Sequence, residues 1–168
     1  MERLQNLKRM LLERRVGFMV DEEMSGTHHF VNQAGPEGEL PMSFRVNWGN
    51  RHMRKYLNPL RKTFLTNFVE GEVSVAGLVE NAPCRGTLEL RYFTEGKIRY
   101  QFEFKDVDRV AYLYVGEKVG IRPWNLPHSH TTCYGTITNL ATGAEVSKSI
   151  LHFELDTLPS FIQSFRLA

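Results

Sequence analysis

From Phe18 to Phe153, apolar residues return at every second position in one short run after another, and this alternation limits the folds open to the chain. A side-chain period of two belongs to strands with one face buried. Leu40, Met42, Phe44, Val46 and Trp48 alternate with Pro41, Ser43, Arg45 and Asn47 as a half-buried strand. Phe18, Val20, Met24, Gly26, His28 and Phe30 share a parity, and the acidic Asp21-Glu22-Glu23 is expected to interrupt that run at a bulge or an edge. Further strand patterns run from Thr63 to Phe68, Glu72 to Val79, Cys84 to Phe93, Lys97 to Lys105, Val110 to Val115, Thr131 to Leu140 and Ala144 to Glu154. Turn residues separate them at the short intervals of antiparallel connections.

One hairpin can be read to its register. Leu88, Leu90 and Tyr92 face one way, as do Ile98, Tyr100, Phe102 and Phe104. A three-residue loop, Thr94-Glu95-Gly96, pairs Tyr92 with Ile98, Leu90 with Tyr100 and Leu88 with Phe102, and it buries both rows together. It also sets Gly96 where a left-handed residue is wanted. Ala141-Thr142-Gly143 is expected to repeat the device.

Helical spacing appears at three places. Leu4, Leu7 and Leu11 form a stripe in residues 1–16, with Gly17 as a stop. Met53, Tyr56, Leu57 and Leu60 suggest a short helix or turn broken near Pro59. Asp156 to Ser160 reads as a cap with Pro159 at a helix start, giving a C-terminal helix over 157–168. The 168 residues therefore predict one mainly β domain, with residues 17–155 as an up-and-down antiparallel barrel of the calycin or lipocalin-like kind, flanked by two helices. A β-sandwich is the alternative.

Composition narrows the class. The chain is 42% hydrophobic with a net charge of +2, which gives no footprint for nucleic acid. No apolar run is long enough to cross a bilayer as a helix, and the N-terminal leucines are interleaved with charges, so a cytoplasmic protein is expected. Cys84 and Cys133 are too few for a disulfide framework and are expected as buried thiols.

Candidate chemistry concentrates between Gly116 and Gly135, where Arg122, Trp124, His128, His130 and Cys133 fall between two strands. His128, His130 and Cys133 form a set that zinc could use, or haem through one histidine, with His28 and His29 as further donors. The bland reading is loop histidines and a buried thiol, and no metal or cofactor is assigned. No nucleophile elbow, Walker or dinucleotide motif occurs, so no catalytic residue is assigned. Asp21-Glu22-Glu23, Asp106 and Asp108 read as solvated turns and edges.

Ser147 and Ser149 share a parity with Leu151 and Phe153, so either the wall is polar outside or the interior is a partly polar cavity. No Asp or Glu occurs from Leu40 to Val69, while Arg51, Arg54, Lys55, Arg61 and Lys62 do, beside Trp48 and Tyr56. This segment is either a solvated surface or a mouth that meets a carboxylate or phosphate.

The order Met24-Ser25-Gly26, Gly86-Thr87-Leu88-Glu89-Leu90, Tyr100-Gln101-Phe102-Glu103-Phe104-Lys105, Gly116-Glu117-Lys118 and Phe161-Ile162-Gln163-Ser164-Phe165 resembles the β-rich accessory domain joined to cholesterol-oxidase-like flavin oxidoreductases of the glucose-methanol-choline class. The resemblance runs from about Val16 onward, includes no flavin-binding fingerprint, and implies a lipocalin-like module tied to sterol-like or acyl chemistry. The expected function is binding of a small apolar or lipid-like ligand, met by Arg122, Trp124, His128, His130, Tyr134, Tyr100, Arg54 and Lys55. The alternatives are a non-catalytic module docking on an oxidoreductase, and a metal- or haem-dependent enzyme using His128, His130 and Cys133.

Overall fold

A computed structural model describes residues 17–119 and 132–153, together with Gln5, Gln163 and the backbone of residues 166–167. Its elements are β1 (Phe18–Phe30), β2 (Leu40–Asn50), α1 (Met53–Tyr56), β3 (Thr66–Val75), β4 (Val79–Arg91), α2 (Tyr92–Glu95), β5 (Lys97–Lys105), β6 (Ala111–Lys118), β7 (Thr132–Asn139), β8 (Glu145–Phe153) and β9 (Arg166–Leu167). Each of β1 to β7 pairs antiparallel with the next, and β8 returns to β1 from Met24↔Phe153 to Phe30↔Ser147. The hydrogen bonding is continuous around the ring, so the architecture is a closed up-and-down barrel rather than two stacked sheets. No described helix is long and apolar enough to cross a membrane.

The alternation sorts inside from outside. Met24, Met42, Phe44, Val46, Val69, Val73, Leu88, Tyr100, Phe102, Phe104, Tyr114, Cys133, Ile137 and Leu151 point inward and are buried. At the waist Phe44 lies 5.6 Å from Tyr100, 5.4 Å from Phe102 and 5.9 Å from Tyr114, ring centre to ring centre. Phe102 stacks on Tyr114 at 4.7 Å. The middle of the barrel is therefore filled by aromatic rings, whose edge-to-face contacts add to the burial of their area. Tyr114 has room because its ring lies across Gly116 and Gly135, which face each other on β6 and β7. A Cβ at either position would overlap that ring.

The interior is partly polar. His28 is fully buried; its Nε2–H donates to the Ala76 carbonyl at 2.9 Å, which leaves Nδ1 to accept from the Ser147 hydroxyl at 2.7 Å. Both ring nitrogens are satisfied, so His28 is a core residue, and burial lowers its pKa. His29 is exposed on the other face.

Several expectations are corrected. β1 is not interrupted at Asp21-Glu22-Glu23: it pairs with β2 from Phe18↔Asn50 to His28↔Leu40, and Glu22 continues the inward row. The patterns at 63–68 and 72–79 belong to one strand, β3, because Gly71 marks close approach to the Arg45 backbone of β2 rather than a turn. The turn comes later, at Ala76 to Leu78, with Gly77 at φ 83°. In the β4–β5 hairpin both apolar rows share the interior and Gly96 is left-handed at φ 61°, as expected. The register differs: Leu90 pairs Ile98 and Leu88 pairs Tyr100, and the connection is the helical turn α2 followed by Gly96. A slip of two residues keeps every side chain on its face, so alternation cannot detect it. Local ion pairs accompany the observed turn, with Arg91 held by Glu89 at 2.6 Å and Glu95 at 2.9 Å, and Glu95 by Lys97 at 2.8 Å.

Residues 166–167 are a strand rather than the end of a helix. β8 stops opposite Met24, which leaves the start of β1 with an open edge, and β9 fills it at Phe18↔Leu167 and Met19↔Arg166. The other helix positions expected at the two termini, apart from Gln5 and Gln163, lie outside the described residues.

Gly135→Ala should lower stability by about 1–3 kcal/mol in chemical denaturation, the usual cost of overpacking. Gly135→Ala combined with Tyr114→Leu should cost less than the sum of the two single changes; additive losses would show that the ring does not rest on this glycine.

Candidate functional site

Two inward rows end in residues that a hydrocarbon interior does not accept. On β1 the row Phe18, Val20, Glu22, Met24 places a carboxylate inside, at 5% exposure; on β6 the row Tyr112, Tyr114, Gly116, Lys118 places an ammonium inside, at 3%. β7 and β8 separate these strands in the ring, so the two side chains meet across the lumen. Lys118 Nζ lies 2.7 Å from Glu22 Oε1.

The carboxylate has two more donors. The Tyr100 hydroxyl of β5 is 2.9 Å from both Glu22 oxygens, and Trp48 Nε1 of β2 donates to Oε2 at 2.9 Å. An isolated buried carboxylate is strongly disfavoured, and three convergent donors offset that cost. Burial, reinforced by the Glu22 charge, pushes the Tyr100 phenol well above its ordinary pKa, so it stays protonated and donates. The Lys118 ammonium lies 5.2 Å from the Tyr100 ring centre and 5.9 Å from that of Phe153, within cation–π reach.

Cys133, fully buried on β7, lies 3.5 Å from the Tyr114 hydroxyl. Burial pushes its thiol up to about 11, against the opposing effects of the Tyr114 hydroxyl and the Lys118 charge. It therefore remains a neutral thiol at physiological pH, unsuited to nucleophilic attack. Cys84 is a second buried free thiol, pushed up to about 12 by burial.

The strand ends fix which end of the barrel holds this cluster. β2 ends at Asn50 and β3 begins at Thr66, β6 ends at Lys118 and β7 begins at Thr132, all at the end of the barrel that holds the ion pair. On the β1–β4 side Phe18 and Tyr56 cover that end, with ring centres 5.5 Å apart, and Trp48, Met53, Leu65 and Leu90 pack around them. Phe18 also meets Trp48 edge-on at 5.9 Å. On the β6–β8 side stand Lys118, Cys133 and the half-buried Phe153.

Of the residues expected to bind a ligand, Tyr100 is in the cluster. Tyr134 is not inside the barrel: it points outward from β7, 53% exposed, opposite Ile150, because Cys133 and Gly135 take the inward parity. Arg54 and Lys55 are exposed on α1, at the same end as the ion pair but outside the lumen. Arg122, Trp124, His128 and His130 lie outside the described residues. Among the described residues no group of three or more His, Cys, Asp or Glu side chains could hold a metal.

Glu22 and Lys118 are the residues that sequence reasoning missed. The signal was their parity, with Glu22 between Val20 and Met24 and Lys118 two beyond Gly116. Charged neighbours on both sides of Glu22 made it read as surface.

The fold and the cluster define the protein as a closed eight-stranded antiparallel barrel with a buried ion pair at one end. No family model, curated protein or solved structure matches the chain.

Removing one partner of a buried pair strands the other, which costs about 3–5 kcal/mol. Lys118→Met alone should lose that much stability in urea unfolding, and Glu22→Gln/Lys118→Met should lose less than the two single variants added together. Strict additivity would mean that the two groups do not meet in solution.

Proposed function

We propose that the barrel binds a small apolar molecule carrying an acceptor oxygen, a carboxylate or carbonyl, at the end that holds Glu22 and Lys118. The observation that carries this reading is the ion pair itself. Apolar residues of similar volume would serve a purely structural core as well or better, so a buried pair needs another reason to be there. Charged groups held in a low-dielectric recess are characteristic of binding sites.

The chemistry of the two groups favours an oxygen acceptor. Glu22 already accepts from Lys118, Tyr100 and Trp48. Lys118 makes one hydrogen bond among the described residues, to Glu22, and an ammonium can donate three. The apolar body of the ligand would lie against Phe153 and the half-buried Trp48 and Leu90. The aromatic waist beneath limits its depth, which supports a ligand seated at one end rather than threaded through the barrel. In this reading Glu22 positions the lysine, Lys118 contacts the ligand, and no covalent step is involved.

Calorimetric titration with a medium-chain fatty acid and the matching alkane tests it. The acid should bind and the alkane should bind at least about tenfold more weakly, the worth of one charge-assisted hydrogen bond. Glu22→Gln/Lys118→Met, which leaves no buried charge, should remove that preference. Equal binding of acid and alkane, equal binding by the variant, or no binding of either would overturn the proposal.

A further inference from the structure

The β2–β3 connection, residues 51–65, presents a surface of a different kind. Arg51, Arg54, Lys55, Arg61 and Lys62 are all exposed, and none pairs with a carboxylate among the described residues. Between these cations stand two apolar side chains in water, Leu57 at 57% and Leu60 at 93% exposure. Of Met53, Tyr56, Leu57 and Leu60, Tyr56 is buried and Met53 packs beside it, while Leu57 and Leu60 face outward.

The segment is held in this shape from its base. Tyr56 packs on Phe18, the Leu65 amide donates to the Tyr56 carbonyl at 2.9 Å, and the Leu90 amide donates to the Leu65 carbonyl at 3.0 Å. Asn58 builds the tip: its side-chain Oδ1 accepts from the Leu60 amide at 3.0 Å and its carbonyl from the Arg61 amide at 3.1 Å. Leu60 is thus carried outward on an ordered turn flanked by cations.

The far end of the barrel supplies the contrast. There Val107 is equally bare, at 94% exposure, but it stands between Asp106 and Asp108, with Arg109 beside them, and the β1–β2 connection across the ring carries Glu37 and Glu39. Among the described residues, the exposed leucines at one end thus stand beside cations, whereas Val107 at the other stands between carboxylates.

We infer that residues 51–62 dock the protein on an anionic lipid bilayer. Leu57 and Leu60 enter the boundary between headgroups and acyl chains, and Arg51, Arg54, Lys55, Arg61 and Lys62 meet the phosphate and carboxylate groups. Charge complementarity sets the orientation, since the cations around Leu57 and Leu60 are drawn to the anionic surface. Exposed leucines at the tip favour lipid over nucleic acid, whose single strands are held by exposed aromatic rings; Tyr56 is buried here. The inference does not depend on the ligand proposed above.

Co-sedimentation with phosphatidylcholine vesicles, pure or containing about one-third phosphatidylserine, tests it. The protein should bind the mixed vesicles at least about tenfold more tightly, and salt should weaken that binding. Leu57→Ser/Leu60→Ser should cut it about tenfold, as expected from two lost apolar insertions. Arg54→Gln/Lys55→Gln/Lys62→Gln should abolish the preference for phosphatidylserine. All five positions are exposed, so circular dichroism should show an unchanged fold. Glu22→Gln/Lys118→Met should bind vesicles like the wild type, which separates this result from the fate of the ligand site. Equal affinity for the two vesicles, absence of binding, or wild-type binding by either surface variant would overturn the inference. So would a single-stranded polynucleotide that binds as tightly as the mixed vesicles regardless of the leucines.

Discussion

A carboxylate inside an apolar barrel is stable only while donors surround it, and here they arrive from three separate strands. Lys118 comes from β6, Tyr100 from β5 and Trp48 from β2, all converging on Glu22 of β1. The cluster therefore ties opposite walls together. It is also sensitive to register, because a slip of one residue in β1 or β6 would turn a partner out to water and leave the other buried alone. The ion pair thus penalises a one-residue slip that the apolar rows alone would also oppose.

The rest of the interior is built around that tie. Below it, Phe44, Tyr100, Phe102 and Tyr114 pack ring against ring, and Gly116 and Gly135 yield the space that Tyr114 occupies. Tyr100 belongs to both regions, since its ring packs in the waist and its hydroxyl holds Glu22. The aromatic core and the polar cluster are therefore mechanically one unit. Beyond the waist, His28 is satisfied locally by Ser147 and Ala76.

The barrel was legible because alternation is a direct consequence of having one face in and one face out. Phe44, Val46, Tyr100, Phe102 and Leu88 fall where their parity puts them, and Ser147 and Ser149 are inside as their parity implies. Register was not legible, because Leu90 opposite Ile98 and Leu90 opposite Tyr100 bury the same faces. The break expected between Phe68 and Glu72 falls inside β3, because Gly71 serves close strand approach and a glycine for that purpose looks, in sequence, like one that allows a turn. Glu22 was hidden by its acidic neighbours Asp21 and Glu23, although Val20 and Met24 on either side at spacing two already placed it indoors. Its partner Lys118 is 96 residues away, a separation that no local pattern can bridge.

Nuclear magnetic resonance of the lysine ammonium group addresses the central claim most directly. In protein with nitrogen-15 in its lysine side chains, the Lys118 Nζ protons should exchange slowly at neutral pH. They should also show nuclear Overhauser contacts to the Tyr100 ring and the Trp48 indole N–H. A Lys118 signal that exchanges with water as fast as those of surface lysines, with no contact to either ring, would contradict the account.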